Sequence, residues 1–436
     1  MKKSLLIKNG RIIDPSRGID EVGSLLITEG KISGWGETPL PPDHDVLHAE
    51  GLIVCPGFID LHCHLRQPGF EERETIATGT QAAARGGFTT ICCMPNTNPP
   101  LDNPTVIDYV KSVAAKEGVV RVLPIGCITK ERKGKELVGM GELASAGVIA
   151  YSDDGAPISS SHLMGQALDY SRTLGLPVID HCEDTSLSEG GQINQGETSL
   201  KLGLRGIPAA SEENMVQRNL ALAGQLAGCH LHIAHVSTEG SVELIRRAKK
   251  QGVTVTAEVT PHHLTLTEEE VIGYNTNAKV SPPLRTKRDN QALIQGLKEN
   301  VIDIIATDHA PHAEADKRCE FALAPSGISG FETALGSLMR LVHDEQLTLT
   351  TLIAKLTCEP ARIIDYDKLG TLSIGAPADI TLFDPDKEWV VDTKAFASKG
   401  KNTPLAGSVL KGKVMATIYE GKPVYKDDSI RLDEGQ

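Results

Sequence analysis

Eight apolar segments of this chain alternate with segments of helical periodicity, and this alternation limits the possible folds more than any other feature. The apolar segments span 52–61, 89–94, 120–127, 147–151, 176–180, 229–235, 253–259 and 301–306. Most are separated by stretches with helical spacing, such as 104–117, 161–174, 211–227 and 239–250. Alternating β and α segments are typical of an α/β protein with a parallel sheet. Eight near-continuous apolar strands favour a closed (β/α)8 TIM barrel over an open doubly wound sheet.

Both ends of the chain differ from this middle part, because they are rich in β segments and lack helical periodicity. Turn signals (NG, EG and GWG) divide the first 50 residues into two or three strands. We therefore expect residues 1–51 and 365–436 to form one small composite β-sandwich domain, and residues 52–364 to form the catalytic barrel. The segment 182–210, rich in Gly, Ser and Glu, is predicted to be a long loop without strands.

Composition and charge exclude several classes of function. A hydrophobic content of 40% and a charged content of 23% are ordinary for a soluble protein. The net charge of −13 argues against nucleic acid or an anionic membrane surface as a partner. The first apolar run is too short for a signal peptide, and no segment is long enough to span a membrane. Nine cysteines, mostly in apolar contexts, predict reduced thiols and a cytoplasmic protein.

Histidines and carboxylates collect where the predicted strands end, which is where a barrel carries its chemistry. His62 and His64 project from the same face of the first strand, so the two imidazoles can bind one metal ion, and Arg66 follows where it could meet a substrate anion. Nine of the 14 histidines lie within or just beyond the ends of strands. Further candidates follow later strands: Asp153 or Asp154, His181, His235, and Asp308 with His309 and His312.

Imidazole and carboxylate groups without a cysteine cluster suit zinc or a similar divalent ion in an open catalytic site. The groups outnumber the ligands of one tetrahedral ion, so a two-metal centre bridged by a carboxylate fits better. Asp308 follows an apolar strand and is the candidate general base that takes a proton from the attacking water. His230 and His232 flank strand six, and one of them is expected to face a helix or the core instead of binding metal. His262 and His263 either orient ligands or pack, and the choice between them stays open.

Eight ordered motifs resemble the amidohydrolase superfamily, and within it the class I bacterial dihydroorotases. They are GFIDLHCHLR (57–66), MPNTNPP (94–100), SDDG (152–155), DHCED (180–184), AHVST (234–238), TPHHL (260–264), SPPLR (281–285) and ATDHAPH (306–312). The motifs GAPADITLFDP and KNTPLAGSVLKGKV extend the resemblance into the last part of the chain.

The resemblance implies reversible ring closure of N-carbamoyl-L-aspartate to L-dihydroorotate, the third step of pyrimidine synthesis. It implies two zinc (Zn2+) ions per subunit with Asp308 as general acid and base. The implied metal ligands are His62, His64, Asp154, His181, His235 and Asp308. The implied substrate contacts are His64, Arg66, Asn96, Ser281, His312, Ser326 and Gly327. Arg66 can pair bidentately with the α-carboxylate, to which Asn96 can donate. Many relatives have Asn where this chain has Ser281, so the contact there is expected to be weaker or water-mediated.

Two alternatives stay open at this point. Another cyclic amidase, such as a hydantoinase or allantoinase, usually bridges its metals with a carbamylated lysine after strand four, where IAYSDDG offers none. Arg66 also favours a carboxylated small-molecule substrate over an uncharged ring. A non-catalytic subunit supporting aspartate transcarbamoylase would typically lose metal ligands, and this chain keeps all six positions. A weaker form of this second alternative remains, in which aspartate transcarbamoylase orders a loop over the site. The chain is also expected to form a homo-oligomer.

Overall fold

Strands and helices alternate through the middle of the chain in the computed structural model, which describes residues 4–36 and 41–435. The strands are β1 (Ser4–Asp14), β2 (Ile19–Thr28), β3 (Lys31–Trp35), β4 (His44–His48), β5 (Ile53–Pro56), β6 (Phe58–Cys63), β7 (Phe88–Cys93), β8 (Arg121–Pro124), β9 (Val178–Asp180), β10 (Ile193–Asn194), β11 (Gly206–Ile207), β12 (Leu231–Ile233), β13 (Val255–Val259), β14 (Ile304–Ile305), β15 (Ile380–Val390), β16 (Val409–Tyr419), β17 (Lys422–Lys426) and β18 (Leu432–Asp433). The α-helices are α1 (Ile76–Arg85), α2 (Pro104–Glu117), α3 (Met140–Ala146), α4 (Ser161–Leu174), α5 (Thr185–Ser188), α6 (Glu197–Leu202), α7 (Ala209–Ala223), α8 (Glu239–Lys250), α9 (Pro261–Thr265), α10 (Lys287–Lys298), α11 (Glu314–Lys317), α12 (Phe331–His343), α13 (Leu349–Leu356) and α14 (Cys358–Ile363).

The predicted barrel is confirmed, although the fourth of its eight strands is short. Parallel strands pair in the orders β6-β7-β8 and β14-β13-β12-β9. Tyr151 joins the two sheets by bridging to Gly126 and Val178. A bridge between Cys63 and His309 closes the barrel. The fourth predicted strand, 147–151, is short but pairs on both sides: the backbone N–H of Ile149 donates to the carbonyl oxygen of Pro124 (3.1 Å), and that of Tyr151 to the carbonyl oxygen of residue 177 (3.0 Å).

Three helices have the predicted bounds because their ends are marked by local chemistry. The helices α2, α4 and α8 each begin after a side chain whose oxygen accepts a hydrogen bond from a backbone N–H of the first turn. The capping residues are Asn103, Ser160 and Thr238. Helix α7 runs from Ala209, directly after Pro208, to Ala223, so the predicted range 211–227 is shifted.

Strands from both ends of the chain share one sheet, in the order β17-β16-β15-β5-β1-β2-β3, with β4 and β18 attached. The sheet encloses its own apolar core, to which Ile12, Leu25 and Ile380 belong. The strand β5 pairs with β1 and β15 here, although the predicted boundary assigns it to the barrel. The predicted first strand, 52–61, is thus two strands that meet at Gly57. Residues 1–3, 37–40 and 436 lie outside the described part of the chain.

The segment 182–210 is folded, so the prediction of a loop without strands is wrong. It contains α5, β10, α6 and β11, and the two strands pair in parallel. Polar contacts hold it to the barrel: Glu268 accepts hydrogen bonds from Asn194 (2.5 Å) and Thr198 (2.9 Å), and Arg285 donates to Asn194 (2.8 Å). Because side-chain hydrogen bonds stabilise this segment, hydrophobic periodicity could not reveal it.

The helices of the described residues are all too short or too polar to cross a membrane.

Candidate metal and substrate site

The ends of four barrel strands bring five predicted metal ligands together in two groups that share one residue. The groups are His62, His64 and Asp154, and Asp154, His181 and His235; within each group the ligand atoms lie within 4.8 Å of one another. All five side chains are buried. Because Asp154 belongs to both groups, it has the position expected of a carboxylate that bridges two metal ions.

Asp308, the sixth predicted ligand, lies beside the first group. Its Oδ1 atom is 3.1 Å from Nε2 of His64 and 3.6 Å from Nε2 of His62. Burial raises the pKa of Asp308, but His62 and His64 outweigh burial and hold the pKa well below its ordinary value. The carboxylate is therefore ionised and can serve both as a metal ligand and as a proton acceptor.

The first imidazole has an orphaned nitrogen that fits a metal ion. Nε2 of His62 is buried and has no hydrogen-bond partner among the described residues. It lies 3.3 Å from Oδ1 of Asp154. A buried polar atom without a partner is costly, so a ligand is expected there. An imidazole nitrogen next to carboxylate oxygens is a donor set that suits zinc.

The structure decides which of the two adjacent aspartates enters the site. Asp153 turns away, because its carboxylate accepts hydrogen bonds from the backbone N–H groups of Ile128 (2.9 Å) and Thr129 (3.0 Å). Asp154 faces the imidazoles and belongs to both ligand groups. The ambiguity of the sequence is thus resolved by the hydrogen bonds of the neighbouring turn.

Three site residues have left-handed backbone conformations, which are uncommon outside glycine. Their φ angles are +61° for Arg66, +31° for His235 and +45° for Asp308. Such strain persists only where surrounding contacts hold it. Beside Asp308, the buried carboxylate of Asp60 accepts hydrogen bonds from Thr307 N (2.7 Å) and Thr307 Oγ1 (2.6 Å). The end of the eighth strand is therefore fixed to the first.

Glu258, which sequence reasoning missed, contacts two of the candidate metal ligands. Its Oε1 lies 2.5 Å from Nδ1 of His62 and accepts a hydrogen bond from the backbone N–H of His235 (3.2 Å). Its Oε2 lies 3.2 Å from Nε2 of His232, which is buried as predicted. A carboxylate that accepts the Nδ1 hydrogen of His62 leaves Nε2 free to bind a metal. The only sequence signal was one glutamate inside an apolar strand.

We expect Glu258→Gln to weaken zinc binding by about 10- to 100-fold, because the amide no longer selects the Nδ1-protonated form of His62. Competition with a chelator, followed by metal analysis, measures this affinity. Glu268→Gln is the matched control, since Glu268 accepts side-chain hydrogen bonds away from the imidazoles. Wild-type zinc affinity in Glu258→Gln would show that His62 is oriented by other contacts.

Eleven of the 12 predicted site residues line one cavity of about 210 Å3 at the barrel mouth, and His62 is buried below it. The predicted residues on its wall are His64, Arg66, Asn96, Asp154, His181, His235, Ser281, Asp308, His312, Ser326 and Gly327. A cavity of about 470 Å3 elsewhere is larger but contains none of them. The chemistry therefore points to the smaller cavity.

Arg66 is a buried cation on the wall of this cavity. Burial lowers its pKa to about 10, so the guanidinium keeps its charge at neutral pH. Nε donates to the carbonyl oxygen of Pro311 (3.2 Å), whereas the terminal nitrogens make no hydrogen bond to other described residues. A planar pair of N–H groups in this state can bind a carboxylate through two bonds.

Other predicted substrate contacts are already engaged within the protein. Asn96 lies between two ligands, with Oδ1 at 2.8 Å from Nδ1 of His64 and Nδ2 donating to Asp154 (2.9 Å). Nε2 of His312 donates to the carbonyl oxygen of Ser326 (2.8 Å). Burial lowers the pKa of His312 to about 2, so this imidazole is neutral. The backbone N–H of Gly327 donates to the carbonyl oxygen of residue 279 (2.9 Å).

His181 is held by Glu183, which also lines the cavity. Nε2 of His181 lies 3.0 Å from Oε2 of Glu183, while Nδ1 lies 2.8 Å from Nε2 of His235. Because the carboxylate of Glu183 pairs with Nε2 of His181, Nδ1 is the nitrogen of His181 that is available to bind a metal ion in the second group. Two imidazole nitrogens this close to each other fit a shared metal ion.

Comparison with known proteins identifies the family of this chain. The family model described as dihydro-orotase-like matches residues 51–241, and that of the amidohydrolase family matches residues 197–425. A dihydroorotase of Caldanaerobacter subterraneus subsp. tengcongensis is 52% identical over 97% of both chains. A dihydroorotase of Pelotomaculum thermopropionicum is 52% identical over 98% of this chain and all of that one. L-hydantoinase from Arthrobacter aurescens has the same fold, with a TM-score of 0.87 at 24% identity, covering 99% and 98% of the two chains. The chain therefore belongs to the dihydroorotase family of the amidohydrolase superfamily.

Proposed function

We propose that this chain catalyses the dihydroorotase reaction in the cavity at the barrel mouth, with two zinc ions bound there and Asp308 as general acid and base. The reaction is the reversible closure of N-carbamoyl-L-aspartate to L-dihydroorotate with release of water. One observation carries the proposal: a carboxylate shared by two groups of metal ligands and a guanidinium with free terminal nitrogens line the same small cavity.

The six ligand positions suit two ions. His62 and His64 with Asp308 would hold one ion, His181 and His235 the other, and Asp154 would bridge them. Zinc bound there would lower the pKa of water and polarise the amide carbonyl of the substrate. We propose both that two metal ions bind and that they are zinc.

Asp308 moves the proton that the reaction requires. In the hydrolytic direction its carboxylate takes a proton from the attacking water as the new C–O bond forms. The same carboxylic acid then gives the proton to the leaving ring nitrogen as the C–N bond breaks. Ring closure is the reverse, so Asp308 first takes a proton from the carbamoyl nitrogen and then returns it to the departing oxygen. The presence of the Asp308 carboxylate on the wall of the cavity supports this role.

The cavity also supplies groups that would orient a carboxylated substrate. Arg66 is its buried cation and would pair with the α-carboxylate. The amide of Asn96 has one hydrogen left after donating to Asp154 and could donate it to the same carboxylate. His312, Ser281 and Ser326 complete this side of the wall. A neutral His312 adds no charge that would compete with Arg66 for the anion.

The alternative is another cyclic amidase, because the fold alone is shared with hydantoinases. Against it, no lysine lines the cavity within the described residues, and Asp154 is the residue shared by both groups of candidate ligands. Arg66 would also be an unpaired buried charge beside an uncharged ring, which is unfavourable.

Metal analysis combined with a substrate panel tests the proposed function. We expect two zinc ions per chain and turnover of dihydroorotate, with no turnover of hydantoin or allantoin, because only a carboxylated ring can pair with Arg66. Removing the metal with a chelator should abolish turnover, and zinc should restore it. Turnover of hydantoin or allantoin in place of dihydroorotate would refute the assignment.

We also propose that the chain acts in the cytoplasm, which its nine free cysteines support. A homo-oligomer and a complex with aspartate transcarbamoylase remain predictions. Measuring turnover with and without that partner separates an independently active chain from one whose loop must be ordered by the partner.

A further inference from the structure

A connection in the composite β domain reaches from its sheet to the barrel mouth. Residues 396–403, here called the brace segment, lie between β15 and β16, which pair with each other in the sheet. The segment contains the beginning of the KNTP motif, which has no role in the proposed chemistry. Three of its residues, Ser398, Asn402 and Thr403, are buried although they are polar.

Two buried carboxylates anchor the brace segment on the barrel. Glu332, in α12, accepts hydrogen bonds from the backbone N–H groups of Ala397 (2.9 Å) and Ser398 (3.3 Å). Glu74 accepts one from the backbone N–H of Lys399 (3.2 Å) and another from the hydroxyl of Ser398. The segment therefore has a fixed position before it reaches the catalytic loops.

Gly400 allows the brace segment to approach the loop after Asp308 closely. A Cβ atom at this position would lie 2.5 Å from Cβ of Pro311 and 2.5 Å from Oγ of Ser329. Real side chains do not tolerate such distances, so glycine is needed for this contact. The close approach brings Asn402 between two loops of the site, one that carries His312 and one that carries Ser326 and Gly327.

The side-chain amide of Asn402 makes four hydrogen bonds, all to these two loops. Oδ1 accepts from the backbone N–H of His312 (2.9 Å) and from the hydroxyl of Ser329 (2.9 Å). Nδ2 donates to the carbonyl oxygens of Ala310 (3.0 Å) and Gly327 (2.9 Å). Asn402 as a whole is 3% exposed. Because two acceptors and two donors face it, only an amide in this one orientation satisfies every partner.

We propose that Asn402 is a positioning residue for substrate binding, joining the loop that carries His312 to the loop that carries Ser326 and Gly327. Asn402 is absent from the cavity wall and acts through those residues. This role rests on the proposed function, because it assumes that these loops bind the substrate. It also makes the last part of the chain a component of the active site.

Asn402→Asp tests the donor half of this contact with almost no change of shape. The carboxylate can still accept from His312 N–H and the hydroxyl of Ser329, but it cannot donate to the two carbonyl oxygens and repels them. We expect KM for dihydroorotate to rise about 10- to 100-fold with a smaller change in kcat, because small misplacement of binding groups has effects of this size. Zinc content should stay at the wild-type value, since no metal ligand is touched.

Asn402→Ala tests the acceptor half by hydrogen exchange. In this variant the backbone N–H of His312 loses its acceptor, so its exchange should be at least about tenfold faster than in the wild type. In Asn402→Asp the same N–H keeps an acceptor and should stay protected. Asn290→Asp is the matched control, because Asn290 is a buried asparagine that donates to Leu266 (2.8 Å) away from both loops.

The outcomes separate this role from the proposed function. Wild-type KM in both Asn402 variants, with turnover of dihydroorotate by the unaltered chain, would overturn the role and leave the function intact. If the unaltered chain does not turn over dihydroorotate, the proposed function is refuted, and hydrogen exchange alone tests the role of Asn402. An unchanged exchange rate of the His312 N–H in Asn402→Ala would then overturn the role. A rise of KM in Asn290→Asp equal to that in Asn402→Asp would show a general loss of packing and would also overturn the role of Asn402.

Discussion

Asp308→Asn should lower kcat for dihydroorotate by at least about 10³-fold while the protein stays folded, because an amide cannot accept the proton that the reaction transfers. The substitution keeps the size of the side chain. The five ligands in the two groups around Asp154 are untouched, so much of the metal should remain. Steady-state kinetics, metal analysis and circular dichroism on the same preparation measure the three quantities.

The matched control for this variant is Asp184→Asn, in another strand-end motif. Asp184 caps α5 by accepting a hydrogen bond from Ser186 N (3.1 Å), and asparagine caps helices equally well. We expect its kcat to stay within about twofold of the wild-type value. Substantial turnover by Asp308→Asn with its metals bound would exclude Asp308 as the general base.

Arg66→Met should raise KM for dihydroorotate by about 100-fold, because hydrogen bonds to a charged group are worth roughly 1.5–3 kcal/mol. Methionine fills a similar volume but offers no donors. Arg66 belongs to neither group of metal ligands, so zinc content should not change. An effect mainly on KM would indicate binding that is shared by the ground state and the transition state.

Arg17→Met is a suitable control, because the guanidinium of Arg17 lies over Trp35, 4.8 Å from its ring centroid, in the composite β domain. Its KM should match the wild type. Arg66→Met also loses the hydrogen bond from Nε to the carbonyl oxygen of Pro311, and the melting temperature of the variant measures the effect of this loss on stability. If KM is unchanged in Arg66→Met, the substrate carboxylate binds elsewhere, and the case for a carboxylated substrate is lost.

Features that depend on neighbouring residues could be predicted from the sequence. The bounds of α2, α4 and α8 follow from periodicity and caps. The pair His62 and His64 follows from the alternation of side chains along a strand. The short extent of strand four and the transfer of β5 to the composite sheet could not be predicted, because hydrogen bonding to distant strands decides them.

Single polar residues with distant partners were the other features that could not be predicted. Glu258 and His62 are 196 positions apart, and Asn402 and His312 are 90 positions apart. The roles of Glu258 and Asn402 could not be predicted from the residues next to them in the sequence. The folded segment 182–210 escaped prediction for the same reason, since polar contacts to residues such as Glu268 hold it.

Hydrophobic periodicity and ordered motifs are local, and they therefore predicted the barrel, the strand ends at which the candidate ligands lie, and the family. The closed barrel places Asp154 in both groups of candidate ligands, as the resemblance implied, and backbone hydrogen bonds explain why Asp153 turns away. Only tertiary contacts bring Glu258 against His62, and Asn402 between the loops that carry His312 and Gly327. The physical reason is that a closed barrel brings together residues far apart in the chain, and hydrogen-bond partners at such separations leave no periodic signal.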